Sequence, residues 1–158
     1  MRKIWAGAAA AGAVLATMVA VPSTASAAPD TVYKVVPFGP GDFSASGAVR
    51  ASLRNGTVTW YKDLTTGAQW VTLKADIKDM SSDGYCGRVS IANWWNLYGN
   101  TQQKTEKECN AAWTNRILTI TVDSTDPKVQ VDLHRKPTTD PGFSTERKTW
   151  IVNRPSGI

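Results

Sequence analysis

From Gln69 to Met80 the chain reads QWVTLKADIKDM, and apolar and polar residues alternate almost without a break. Val71, Leu73, Ala75 and Ile77 fall on one side of an extended chain. Trp70, Thr72, Lys74, Asp76 and Lys78 fall on the other. Successive side chains of a strand project to opposite faces. The pattern therefore specifies a strand in a sheet that is buried on one face and wet on the other, and no apolar stripe at helical spacing competes with it.

Weaker versions of the same signal recur along the chain. Thr31–Pro37 (TVYKVVP) reads as an edge strand, and the run from Pro37 to Gly41 should break any regular element. Ala48–Arg54 and Thr57–Asp63 alternate on either side of Asn55-Gly56, which predicts a hairpin with a two-residue turn, because both residues tolerate positive φ. Asn55-Gly56-Thr57 also matches a glycosylation sequon; the turn reading is preferred. Turns are expected at Leu64–Gly67 and Ser81–Gly84. Further strands are expected over Tyr85–Asn93, Arg116–Asp123, Lys128–Arg135 and Lys148–Asn153. Asn96–Asn110, with its Glu and Lys run, reads as a covering loop with a helical turn, and Arg154–Ile158 as a frayed end. The spacing predicts an all-β fold: a single-domain antiparallel β-sandwich of seven to eight strands, with a closed barrel as the alternative.

The N-terminus reads differently. Arg2 and Lys3 precede an apolar, alanine-rich run from Ile4 to Val21, and Ala25-Ser26-Ala27 offers small residues where signal peptidase needs them. Residues 1–27 are expected to be a cleaved secretory signal peptide and residues 28–158 the secreted domain. No later stretch is apolar enough to predict a transmembrane segment in the mature chain. The formal charge of +5 falls to +3 without Arg2 and Lys3. That surplus lies beyond His134, where Arg135, Lys136, Arg147, Lys148 and Arg154 outnumber Asp140 and Glu146. A basic segment of this kind suits acidic cell-wall polymers or anionic lipid, or is a solvated terminus. No basic helix or strand-borne aromatic pair of the nucleic-acid type is present.

Two cysteines in an exported chain predict one disulfide, Cys86–Cys109, closing a 24-residue loop that contributes about 3 to 3.5 kcal/mol. Cys86 is expected on the polar face of its strand, pinning the loop to the sheet. Two distant cysteines and one histidine are too few for a metal site. Asp63, Asp76, Asp79 and Asp83 lack EF-hand spacing and read as strand-end and turn residues. His134 would have to serve any serine or cysteine nucleophile alone, no GxSxG or HExxH is present, and neither a cofactor nor catalytic activity is expected.

Trp94, Trp95 and Tyr98 carry the candidate binding site. Flat rings on a β-sandwich stack on sugar faces, with Asn93, Asn96, Asn100, Gln102 and Gln103 near in sequence to bond hydroxyls. The competing reading is core packing, since adjacent residues of a strand face opposite ways; a third is a protein-binding surface.

The MRK start, the alanine-rich leader and the DGYC strand joined to a distant cysteine resemble small exported proteins of actinomycete-type bacteria. That resemblance implies secretion and brings no functional residues. The expectation is a secreted, non-catalytic protein with an extracellular binding or structural role. Its alternatives are a carbohydrate-binding module, whose partner is an extracellular polysaccharide or cell-wall polymer, and a small inhibitor or toxin-like protein presenting Asn96–Asn110.

Overall fold

The computed structural model describes residues 30–93, 102–137 and 146–158. Nine strands run through them: β1 (Thr31–Phe38), β2 (Gly41–Ala45), β3 (Ala48–Asp63), β4 (Gln69–Asp79), β5 (Tyr85–Asn93), β6 (Gln103–Glu108), β7 (Thr114–Thr121), β8 (Lys128–Pro137) and β9 (Arg147–Asn153). There is no helix among the described residues. One sheet has the order β1-β3-β4-β7, with β2 also paired to β3, and the other the order β6-β5-β8-β9. All pairings are antiparallel. Two open sheets make a sandwich, as expected, rather than a closed barrel.

The strict alternation in β4 places Val71, Leu73, Ala75 and Ile77 fully inside. They meet Leu53, Val58 and Trp60 of β3 and Leu118 and Ile120 of β7 in one cluster, closed from the other sheet by Val89, Ile91, Val129, Val131 and Leu133. Burial of these side chains, worth about 1.5 to 3 kcal/mol each, selects the register, because a slip of one residue would turn every one of them to water.

Asn55-Gly56 does not turn the chain. The two expected strands are one, β3, and the dipeptide is a bulge within it: Arg54 pairs Asp76 and Thr57 pairs Lys74, so Asn55 and Gly56 together oppose Ala75. Asn55 holds the left-handed conformation (φ 54°) that such a bulge uses at its first position. The inward residues switch from Ala51 and Leu53 to Val58 and Trp60 across the bulge. A two-residue hairpin would face Leu53 and Val58 the same way, so alternation alone could not separate the two. The outer edge of β3 follows the bend. β1 pairs its second half and β2, which was not expected, pairs its first half. The Pro37–Gly41 break reduces to residues 39 and 40, since β1 runs through Phe38 and β2 starts at Gly41.

The Glu and Lys run also departs from expectation. Gln103–Glu108 is an edge strand on β5 rather than a helical turn. So short a helix would not sustain itself, whereas β5 has backbone groups that need partners, and charged side chains suit an exposed edge. The disulfide Cys86–Cys109 forms, with Cα atoms 4.3 Å apart, one rung beyond the pair Gly87–Glu108. Cys86 lies on the face turned from the core, yet it is fully buried. The C-terminal residues are tied down instead of frayed. Arg154 N–H donates to Pro127 O, Lys34 Nζ donates to Ser156 O, and Ile158 packs against the core.

Candidate functional site

The outer face of the five-stranded sheet collects the wet sides of β1, β3, β4 and β7, and the register sets them in rows. Tyr33, Tyr61, Trp70 and Thr121 stand side by side across the four strands. The Tyr61 and Trp70 rings stack, with centroids 5.1 Å apart and planes 7° from parallel, and Tyr33 leans on Tyr61 at 6.0 Å. Tyr33 is 64% exposed and the other two are half-buried. Val35, Thr59, Thr72 and Thr119 form the next row, where the Thr72 and Thr119 hydroxyls are 2.9 Å apart. Pro37, Thr57, Lys74 and Ile117 follow, with Val35 52% and Ile117 61% exposed. Three aromatic rings and two large aliphatic side chains thus share a face with five threonines, Pro37 and Lys74.

At the far end of this face the bulge turns Asn55 toward β4. Asn55 Nδ2 donates to Asp76 Oδ2 at 2.8 Å, and Asn115 Nδ2 on β7 donates to Asp76 Oδ1 at 2.9 Å. Arg54 Nε is 3.6 Å from the same carboxylate, and its guanidinium lies 4.1 Å from the Trp113 ring centroid. The hydrogen bonds from Asn115 and Asn55, with the Arg54 charge beside them, hold the Asp76 carboxyl below the usual carboxylate value. Asn55, Thr57, Lys74, Asp76 and Asn115 line an open depression of about 350 Å³.

The outer face of the four-stranded sheet differs. Arg88 pairs His134 and Ser90 pairs Asp132 across β5 and β8. These residues are on the face expected to be wet, and all four are buried, Ser90 and His134 to 1% exposure. Asp132 accepts from Gln130 Nε2 at 2.8 Å and Thr149 Oγ1 at 2.6 Å. Burial pushes the His134 imidazole down to about 4, against the pull of Asp132 and with help from Arg88, Lys136 and Arg147. It is therefore neutral at physiological pH.

Asp63, Asp79 and Asp83, read in sequence as strand-end and turn residues, do separate jobs. Asp63 accepts from the Thr65 and Thr66 N–H groups in the β3–β4 turn. Asp83 accepts from Tyr85 N–H and pairs with Arg50 and Arg135. Asp79 is buried at the end of β4. Among the described residues no three His, Cys, Asp or Glu side chains gather into a metal site.

Trp94, Trp95 and Tyr98 lie outside the described residues. The aromatic row that the fold does assemble was only half visible in the sequence. Trp70 falls on the wet face of its strand by alternation, but its alignment with Tyr61 and Tyr33 depends on register. No family model, curated protein or solved structure matches the chain.

Proposed function

We propose that this is a secreted, non-catalytic binding module whose ligand is an extracellular polysaccharide, held on the outer face of the five-stranded sheet. The carrying observation is the row Tyr33–Tyr61–Trp70 on the solvent side of three paired strands, with Tyr33 exposed and the Tyr61 and Trp70 rings half-buried beside it. Aromatic rings present apolar surface with low conformational entropy, which suits the C–H faces of sugar rings, and the threonine rows beside them offer hydroxyls that both donate and accept. The disulfide fits an oxidising extracellular setting, and among the described residues no helix is long and apolar enough to cross a membrane.

The test is retention of the mature chain on insoluble cellulose, chitin, xylan and starch. At least one should retain the wild type, and Tyr61→Ala/Trp70→Ala should pass through with its β-sheet circular dichroism intact. A flat panel sinks the reading. So does loss of retention in Trp94→Ala/Trp95→Ala with none in Tyr61→Ala/Trp70→Ala, which would move the site to the other aromatic cluster.

A further inference from the structure

We infer that the Asp76 depression is a second subsite on the same face, one that accepts vicinal hydroxyls of an uncharged polysaccharide running along β3 and β4 from the aromatic row. The inference rests on the binding reading above and adds the ligand's charge class, its direction and its polar anchor.

The chemistry of the depression selects a neutral, hydroxyl-bearing group. Asp76 is an acceptor on both oxygens, and each oxygen accepts one amide N–H, from Asn55 and from Asn115. A carboxylate has about four acceptor positions; Oδ2 also faces Arg54 Nε at 3.6 Å, so Oδ1 is the oxygen that keeps capacity for a further donor. The two amides fix the plane of the carboxylate, so those positions are pre-set rather than found on binding. Because each amide turns its N–H to Asp76, its carbonyl oxygen points elsewhere as an acceptor, and Lys74 and Thr57 on the same lining supply donors. Two adjacent hydroxyls, one donating to Asp76 Oδ1 and the other meeting Lys74, Thr57 or an amide carbonyl oxygen of the same lining, match that array.

Lys74 on the lining and Arg54 at 3.6 Å from Asp76 oppose a metal cation. Arg135, Lys136, Arg147 and Lys148, which make up most of the basic surplus that would draw an acidic polymer, lie on β8 and β9 in the opposite sheet.

Position gives the direction. Trp70 and Asp76 share the outer side of β4 six residues apart, about 20 Å at strand rise. The rows between them carry Thr59, Thr72, Thr119 and Thr57. A polymer several sugar rings long, packed at one end on the exposed Tyr33 ring and along the edges of the Tyr61–Trp70 stack, lies over hydroxyls and reaches Asp76 at the other.

Affinity electrophoresis separates the possibilities, using gels that contain hydroxyethyl cellulose, xylan or soluble starch as neutral polymers and polygalacturonate as the anionic one. The wild type should be retarded by a neutral polymer and not by polygalacturonate. Asp76→Ala should weaken that retardation about tenfold, the scale of one charge-assisted hydrogen bond, and Asn115→Ala should weaken it less. Unchanged melting temperatures show that neither variant acts through folding. Retardation that Tyr61→Ala/Trp70→Ala abolishes and both Asp76→Ala and Asn115→Ala leave intact overturns the subsite and keeps the binding reading. Retardation by polygalacturonate alone overturns the neutral class. No retardation in any gel removes both.

Discussion

Tyr61 and Trp70 face each other directly across the β3–β4 pair, and their rings stack within 7° of parallel on the solvent side of the sheet. The pair couples stability to the candidate binding face. A stacked aromatic pair contributes about 0.5 to 1.5 kcal/mol beyond the area it buries. A double-mutant cycle with Tyr61→Ala and Trp70→Ala, read by urea unfolding, should give a coupling of about 1 kcal/mol. Tyr33→Ala, at the exposed end of the row, should cost under about 0.5 kcal/mol while still weakening retention on polysaccharide. A coupling near zero would mean that the rings do not hold each other in solution.

The bulge makes a second, independent demand. A Cβ on Gly56 would sit 2.7 Å from Phe38 Cζ and 2.8 Å from Phe38 O, and the backbone oxygen cannot step aside as a side chain can. Gly56→Ala should therefore destabilise by about 1 to 3 kcal/mol, as overpacking does. At Asn55, with φ of 54°, Gly and Val both remove the hydrogen bond to Asp76, and Val should cost about 1 to 2 kcal/mol more than Gly. Equal midpoints for Asn55→Gly and Asn55→Val would show that the left-handed conformation is not held.

These two positions also show what the sequence could and could not reveal. Inward and outward sides were legible wherever one face of a strand is buried, as in β4, because the period-two pattern is the record of that burial. The chain's own turn chemistry was ambiguous: Asn-Gly supplies positive φ to a hairpin and to a bulge alike, and the partner strands β1, β2 and β4 decide between them. The polar face of β5 misled differently. Arg88 and Ser90 look solvated in sequence and are buried; alternation marks which side a residue faces and not what covers that side. The binding face was hidden because it belongs to no single segment. Tyr33, Tyr61 and Trp70 come from three strands, and only the register sets them in line.

The cross-link offers a third prediction. Cys86–Cys109 closes the connection between β5 and the edge strand β6, so its removal frees a 24-residue loop in the unfolded chain. Cys86→Ala/Cys109→Ala should lose about 3 kcal/mol on the chain-entropy account. Because β6 is the strand it secures, amide exchange should rise first in Gln103–Glu108, before the β3–β4 core is affected. Uniform loosening of both sheets would contradict a local role.

His134 makes the fold acid-sensitive. Its imidazole is held at about 4 in the folded protein, chiefly by burial, against an ordinary value near 6.5 when unfolded. Above about pH 6.5 both states hold it neutral and pH has no leverage through this group. Between about pH 6.5 and 4 the unfolded state takes up the proton and the folded state does not, so stability falls as pH falls. The loss approaches about 3 kcal/mol and is complete below the folded value, where both states are protonated. Asp132 attracts the protonated form, and Arg88, Lys136 and Arg147 repel it; the repulsion and the burial together win. Carboxylates titrate in the same acid range, so the informative quantity is a difference. Urea midpoints of wild type minus His134→Gln, followed from pH 7.5 to pH 4, should change in favour of the variant by that amount. A flat difference would mean that the imidazole reaches solvent and titrates as it does in the unfolded chain.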